Sequence, residues 1–143
     1  MKPFSLDTVL KYRVQLEKIA KNRLHAAEKK RAETLQQLQQ KEAIYNTLVG
    51  DLARLQSQGM NVVEMIRYEE RINVEKNELD LLKNTLVERE ETVLRERENT
   101  ITKSKERKVM EKLKEKQNTA WQHYLNKKEA ALLDEIAVIF HER

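Results

Sequence analysis

Hydrophobic residues recur along the chain in steps of three, four and seven, with charged and polar residues between them. Before residue 57 the recurring positions are Leu35, Leu38, Tyr45, Val49 and Leu52. After residue 62 they are Met65, Tyr68, Ile72, Leu79, Leu82, Leu86 and Val93. A narrow stripe with a period near 3.5 residues is typical of coiled coils, whereas a helix on a globular core carries a wider one. The pattern predicts an all-α protein whose long helices need partners along their length.

One short stretch, QSQGMNVVEM, interrupts the helical pattern. Gly59 suits the left-handed position just past a helix, where a side chain would cost energy. Asn61 can cap the next helix, and Glu64 can bond back to that cap. Met60 and Met65 have the spacing of a hydrophobic staple across the cap. These residues form a predicted structural turn between two helices.

The turn signals place helix one at about 5–57, the turn at 58–61 and helix two at about 62–140. Ser5 is the predicted cap of helix one, with Phe4 and Val9 as its staple. Because the link between the helices is so short, they are expected to pack antiparallel. We therefore expect residues 1–143 to form a single coiled-coil hairpin.

Folding the helices back about Gly59 pairs residues whose numbers add to about 118. This register pairs apolar residues at both ends of the hairpin, namely Leu52 with Ile66, Tyr45 with Ile72, Leu38 with Leu79, Val9 with Val109 and Leu6 with Leu113. In the middle it places Glu28 near Arg89, and Lys21 near Glu96. Opposite charges at seam positions can set the register at some cost in stability.

The two predicted helices differ in length, since helix two extends past the residues that helix one can cover. By the pairing rule the chain after about Glu115 has no internal partner, although it is rich in apolar residues. Leu125, Leu132, Ile136 and Ile139 follow one another there in steps of seven, four and three. An uncovered apolar stripe of this kind usually marks a binding surface. Folding back, or pairing with another copy of the chain, are the alternatives.

Composition excludes several classes of protein. Charged residues make up 36% of the chain and aromatic residues 5%, a balance typical of long helices with little globular core. There is no cysteine and no apolar run of about 18 residues, which argues against disulfides, cysteine-ligated metals and membrane spans. The beginning, MKPFSLD, is too polar for a signal peptide, so we expect a cytoplasmic protein.

Charge is distributed unevenly along the chain. Residues 1–31 carry nine Lys or Arg against three acids, and residues 101–116 carry seven against three. Residues 64–98 carry eleven acids against seven bases, so only the end with both termini is basic. The segment KSKERKVMEKLKEK interleaves lysine with glutamate and has no aromatic residues for base stacking. It therefore favours a solvated helix face over a nucleic-acid surface.

No catalytic or cofactor chemistry stands out in the sequence. His25, His123 and His141 are scattered, and none has a second ligand at metal-site spacing, so we expect no metal or cofactor. A catalytic pair of carboxylates would need a pocket that shifts its pKa, which a two-helix hairpin hardly offers. The sequence therefore favours a binding protein over an enzyme.

Three segments together resemble the FliJ family, the coiled-coil proteins of the bacterial flagellar type III export apparatus. They are FSLDTVLKYRVQLEKIA at the start, QSQGMNVVEMIRYEERI at the turn and VMEKLKEKQNTAWQHYLNKKEAALLDEIAVIF at the end. The likeness spans nearly the whole chain. It depends on the order of these segments, because coiled coils share their composition.

The resemblance implies a nonenzymatic stalk that enters the ring of the export ATPase (FliI), stimulates it, and binds the export-gate protein (FlhA). The family is also described as escorting substrate chaperones. The ATPase-binding residues that it implies are Trp121, Tyr124, Leu125, Leu132, Leu133, Asp134, Glu135, Ile136, Ile139 and Phe140. The gate-binding residues that it implies are Ile44, Leu48, Leu52, Tyr68 and Ile72. This sequence departs from the family at Ile44, Leu48 and Arg71, where aromatic residues are frequent.

Two other functions stay open from the sequence. One is the stalk of a related virulence-type secretion system. The other is a structural or nucleic-acid-binding coiled coil that has no ATPase partner.

Overall fold

Two long helices make up the described part of the protein, which is a computed structural model covering residues 5–142. Helix α1 spans Asp7–Ser57 and helix α2 spans Val62–Glu142, so the predicted all-α hairpin is confirmed. The chain divides into two units, each containing antiparallel parts of both helices. The termini unit comprises residues 5–20 and 99–142, and the turn unit comprises residues 21–98.

The end of α1 has the left-handed glycine that the sequence predicts. Gly59 has a φ of 86°. The N–H groups of Gln58 and Gly59 donate to the carbonyl oxygens of Arg54 and Gln56 at 3.2 and 3.3 Å, which satisfies acceptors that the last helical turn leaves free. Only a residue without a Cβ adopts this backbone conformation at little cost, so glycine is required here.

Asn61 caps α2 as predicted, but without the reciprocal half of a capping box. Its Oδ1 accepts a hydrogen bond from the N–H of Val63 at 2.8 Å, and its carbonyl accepts from Met65 N–H at 3.0 Å. Within the described residues, the exposed Glu64 side chain makes no hydrogen bond back to Asn61. Met60 and Met65 are both half-buried. The Asn61 cap therefore supplies the predicted start of α2, and the Met60–Met65 staple stays a prediction.

The beginning of α1 differs from its prediction by two residues. Ser5 precedes the helix, which begins at Asp7, and the Ser5 N–H donates to Gln117 Oε1 at 3.4 Å. Val9 is exposed, and Phe4, the other residue of the predicted staple, lies outside the described residues. The carboxylate of Asp7 stands in the first turn of the helix, where negative charge is favourable.

A heptad seam follows each helix. From Leu10 to Leu55, every residue reached by alternating steps of three and four is buried or half-buried, with the exception of Arg31. The same steps lead from Met65 to Trp121 through buried or half-buried residues only. This is the spacing of coiled-coil core positions, and it confirms the predicted period. Within the turn unit the seam includes Leu48, whereas the predicted Val49 is exposed.

The register is two residues away from the predicted one. In the termini unit Leu10 and Met110 form a buried apolar cluster, and Thr100 Oγ1 donates to the Ala20 carbonyl at 3.2 Å. The numbers of both pairs add to 120.

Side-chain exposure in both units contradicts part of the predicted pairing at 118. Val9 and Val109 are 37% and 57% exposed, Leu6 and Leu113 are exposed at the same end, and Ile66 is exposed in the turn unit. Leu38 and Leu79 are both buried, as predicted. The heptad phase sets the register, and a rule centred on the turn glycine alone misplaces it.

Ion pairs occupy several seam positions of the termini unit. Arg107 donates from Nε to Glu17 at 2.8 Å across the helices and from Nη1 to Glu111 along α2 at 2.7 Å. Both carboxylates raise the pKa of Arg107, Glu17 more than Glu111. Arg13 pairs with Glu106 in the same way. Because Glu17 is buried, removing Arg107 would cost more than breaking a surface ion pair.

Arg89 in the turn unit lacks the partner that the sequence predicts. Glu28 lies 3.9 Å from Arg97, and Arg31 lies 3.7 Å from Glu90, so both nearby carboxylates engage other cations. The Nε atom of Arg89 is buried and makes no hydrogen bond within the described residues. A donor that loses water and finds no acceptor destabilises the folded state.

Cysteine substitution in this cysteine-free chain tests the register. We expect the variant with Leu10→Cys and Met110→Cys to form an internal disulfide under mild oxidation, because these side chains share one cluster. The control variant, with Val9→Cys and Val109→Cys, should remain reduced or form intermolecular dimers. Non-reducing electrophoresis separates these products. Cross-linking of the control pair in preference would restore the register of 118.

Substitutions at the turn test the conformation of its backbone. Gly59→Val should destabilise the fold by roughly 1 kcal/mol or more, and Asn61→Ala by about 1 kcal/mol. Gly50→Ala is the matched control, since Gly50 lies inside α1 with open space at its Cβ position. This change should stabilise the protein by about 1 kcal/mol. The measurement is urea unfolding followed by circular dichroism, and equal stability of all variants would contradict the capped turn.

Replacing the unpartnered seam arginine should stabilise the protein. Arg89→Leu removes a buried donor that has no acceptor and adds apolar surface at a seam position, for a gain of about 1 kcal/mol. Arg67→Leu provides the control, because Arg67 is exposed and its loss should change the unfolding free energy by less than about 0.5 kcal/mol. A clear loss of stability in Arg89→Leu would show that this guanidinium stabilises the fold.

Candidate functional site

The last 21 described residues, 122–142, form a helical segment that we call the tail, and every one of them is exposed. Near the start of α1, Gln117 accepts from Ser5 N–H at 3.4 Å and Lys114 Nζ lies 3.6 Å from Asp7 Oδ1. The tail therefore extends beyond the residues that α1 covers. Most of the residues that the family resemblance assigns to the ATPase contact lie on it.

An apolar stripe runs along the tail through Leu125, Leu132, Ile136 and Ile139, which are 38%, 56%, 40% and 54% exposed. Leu133 and Phe140 flank this stripe and are also exposed. The seam that ends at Trp121 would continue through Tyr124, whereas the stripe begins one residue later. Leu125 follows Trp121 by four residues, or about 40° around a helix, so the stripe begins beside the last seam position and departs from the continuation of the seam through Tyr124.

Trp121 and Tyr124 mark the place where the seam ends and the tail begins. Their rings stack with centroids 5.3 Å apart, and Lys128 Nζ lies 5.3 Å from the centroid of the Tyr124 ring. Together with Gln117, Ala120 and Leu125 they line an open recess of about 520 Å³. Trp121 is half-buried and Tyr124 is exposed, so this cluster combines an anchored ring with an accessible one.

Charge changes sign along the tail. Lys127 and Lys128 precede Asp134 and Glu135, which the resemblance also assigns to the ATPase contact. On the preceding segment Lys112 and Lys116 are exposed, whereas Lys114 pairs with Asp7. The free cations that could attract a negatively charged partner therefore include Lys112 and Lys116 but exclude Lys114.

Asp7 interacts electrostatically with two lysines of the termini unit, Lys11 and Lys114. Its hydrogen bond to Lys11, together with the charges of Lys11 and Lys114, holds the pKa of its carboxyl below the usual value of 3.8. The folded pKa therefore lies below the unfolded one. This group contributes stability at pH values above about 4, and the contribution is lost as the pH falls through the folded pKa.

The five gate residues implied by the resemblance do not share one open surface in the turn unit. Leu48 is 6% exposed and lies in the seam, and Leu52, Tyr68 and Ile72 are half-buried there. Ile44 is 41% exposed and is the most accessible of the five. A partner that approaches the closed hairpin can therefore reach Ile44 but not Leu48.

Ile44 borders a recess of about 480 Å³ on one side of the turn unit, which it lines together with Leu81, Leu82, Lys41 and Glu78. Leu81 is 67% exposed, and the sequence prediction does not include it because it lies off the seam spacing. An apolar residue two positions after the seam residue Leu79 is the signal that could have found it.

Lys41 forms the polar border of this recess. Its Nζ donates to Glu78, and also to Glu75 at 3.2 Å. These bonds, that to Glu78 first, raise the pKa of Lys41, so the ammonium stays charged. The recess therefore has an apolar lining, and the carboxylates beside Lys41 neutralise the charge at its border.

Within residues 5–142 no group of three or more histidines, cysteines, aspartates or glutamates is arranged to hold a metal ion. The described helices contain no segment long and apolar enough to cross a membrane.

Comparison with known proteins gives one match. The family model described as flagellar FliJ protein matches residues 1–143, which is the whole chain. No curated protein and no solved structure matches the chain. An antiparallel pair of heptad helices agrees with a family of coiled-coil proteins associated with flagellar export. The chain belongs to the flagellar FliJ protein family.

Proposed function

We propose that this protein is a nonenzymatic central-stalk component of the flagellar type III export apparatus. In this role it binds the hexameric export ATPase, stimulates ATP hydrolysis, and couples the ATPase to the export gate. Membership of the FliJ family supports the connection with flagellar export. The uncovered tail supports a contact with another protein, and the resemblance implies that this protein is the ATPase.

The observation that carries the proposal is the exposed apolar stripe of the tail. Its four large aliphatic side chains have no cover within the described residues. Fully burying one such side chain contributes about 1.5–3 kcal/mol, so a partner that covers the stripe gains substantial binding energy.

The charges next to the tail also support a contact with a partner at this end of the termini unit. Residues 101–116, which carry seven Lys or Arg against three acids, belong to the termini unit, and Lys112 and Lys116 extend from it into solvent just before the tail. Exposed charges of one sign raise the rate of association with an oppositely charged surface, and salt weakens this effect. The apolar stripe then provides the contact that holds the complex.

For the export gate we propose the side recess of the turn unit. Ile44 and Leu81 present accessible apolar surface there, whereas Leu48 would become available only if the helices separated. The gate contact thus uses Ile44 from the implied set and Leu81 in addition to it. By the same resemblance, the protein acts at the cytoplasmic face of the inner membrane and also escorts substrate chaperones.

The tail contact is tested by replacing Leu132 and Ile136 with Asp. Placing charge in a buried contact can cost several kcal/mol, so stimulation of purified export ATPase should fall at least tenfold. Helicity by circular dichroism should persist, because both residues lie outside the seam. Equal stimulation by variant and wild type would remove the tail from the contact. Absence of stimulation by the wild type would refute the proposed function.

A matched double substitution tests the side recess. Ile44→Asp with Leu81→Asp should weaken binding to the soluble domain of the export gate at least tenfold, because both apolar side chains border the recess. The same variant should stimulate the ATPase as the wild type does, while the tail variant should bind the gate normally. Calorimetry measures gate binding and an ATPase assay measures stimulation, each for both variants. Loss of both activities in either variant would contradict separate surfaces.

A further inference from the structure

The tail carries a second heptad repeat, distinct from the seam of the hairpin. Leu125, Leu132 and Ile139 recur every seven residues, and Glu129 and Ile136 occupy the positions three residues before Leu132 and Ile139. Alternating steps of four and three are those of a coiled-coil core. All five residues are exposed, so the repeat has no helix to pair with in the described part of the chain.

One flank of this second repeat has complementary charges. Lys128 and Glu135 each stand directly before a core position, Glu129 and Ile136 respectively, and they lie seven residues apart on the same side of the helix. Flanking residues of this type face their counterparts when two such helices pack antiparallel. Two copies of the tail running in opposite directions would thus bring Lys128 of each copy against Glu135 of the other.

We propose that the tail pairs with the tail of a second copy of this chain, antiparallel and about a two-fold axis. Leu125 of one copy packs in the same layer as Ile136 of the other, and the symmetry repeats this layer at the opposite end. Leu132 lies opposite the aliphatic stem of Glu129. The two Lys128–Glu135 pairs then fall on the flank, as the heptad geometry requires. An isologous contact of this kind closes at two subunits.

Glu129 decides between the antiparallel and the parallel arrangement. In a parallel pair in register, the two Glu129 carboxylates would meet at the axis, where like charges repel and desolvation is costly. In the antiparallel pair each Glu129 faces a leucine and its carboxylate extends to the solvent at the edge. Charge therefore selects the second copy's orientation as well as its register.

The pairing has a consequence for the stalk, and this step rests on the proposed function. The stripe cannot contact the export ATPase and a second copy at once, so self-association masks the ATPase contact. The tail is short, about 32 Å at 1.5 Å per residue, and a pair of this size is small compared with a stable interface. The dimer is therefore weak enough for a partner to displace.

Sedimentation equilibrium of the full chain without ATPase tests the pairing. The wild type should form dimers whose dissociation constant rises about tenfold in Lys128→Glu and in Glu135→Lys, since each substitution creates like-charge contacts twice per dimer. The double variant carrying both changes should recover wild-type affinity. Lys127→Glu is the control, because Lys127 lies on the face away from the core positions, and it should leave the dimer unchanged.

A wild-type chain that stays monomeric at millimolar concentration would overturn the pairing. A tail that folds back on its own hairpin would give this result. Equal dimer affinity in all variants would overturn the antiparallel arrangement, as would cross-linking of Leu125→Cys chains to each other but not to Ile136→Cys chains. None of these results involves the ATPase, so the proposed function would stand. If the dimer masks the ATPase contact, preformed dimers should stimulate the ATPase only after a concentration-dependent lag. Stimulation without this lag would contradict the masking.

Discussion

The pairing of two narrow heptad seams holds the two helices of this molecule together. Each helix has an apolar stripe only two positions wide per heptad, and neither can bury it alone. The seam is not uniformly apolar, because Glu17 and Arg107 meet in it, and Lys41 bridges to Glu75 and Glu78. Such polar positions contribute less to stability than leucine would, but a shifted register would leave their charges buried and unpaired.

Local chemistry in the sequence predicts the turn to the residue. The left-handed glycine and the asparagine cap act over three or four residues, so their outcome depends little on the rest of the chain. The seam period is likewise local, since it follows from the spacing of side chains on one helix. These features were predictable because each is decided within one or two helical turns.

Pairing between distant residues was harder to predict. Counting outward from Gly59 gives a register near 118, but Leu10 with Met110 and Ala20 with Thr100 follow 120. Arg89 does not pair with Glu28 as expected, because the Glu28 carboxylate lies near Arg97 instead. Long side chains can pair away from the nearest residue on the facing helix, so the spacing alone does not predict the partner. The exposed tail followed from unequal helix lengths, whereas the side recess at Leu81 depends on how two helices meet and has no signature in either one.

The tail is a helix without tertiary contacts, and this affects how it can bind. Packing of an apolar face normally supplies most of the stability of a helix in a protein, and the tail has no such packing within the described residues. The tail therefore has less stability of its own than the packed parts of α2, and a partner that covered it would also stabilise its helical form. Part of the contact energy would go into that stabilisation, a cost that lowers affinity and speeds release. Ala130, Ala131 and Ala137 reduce this cost through high helix propensity, so replacing them with glycine would weaken binding without touching a contact.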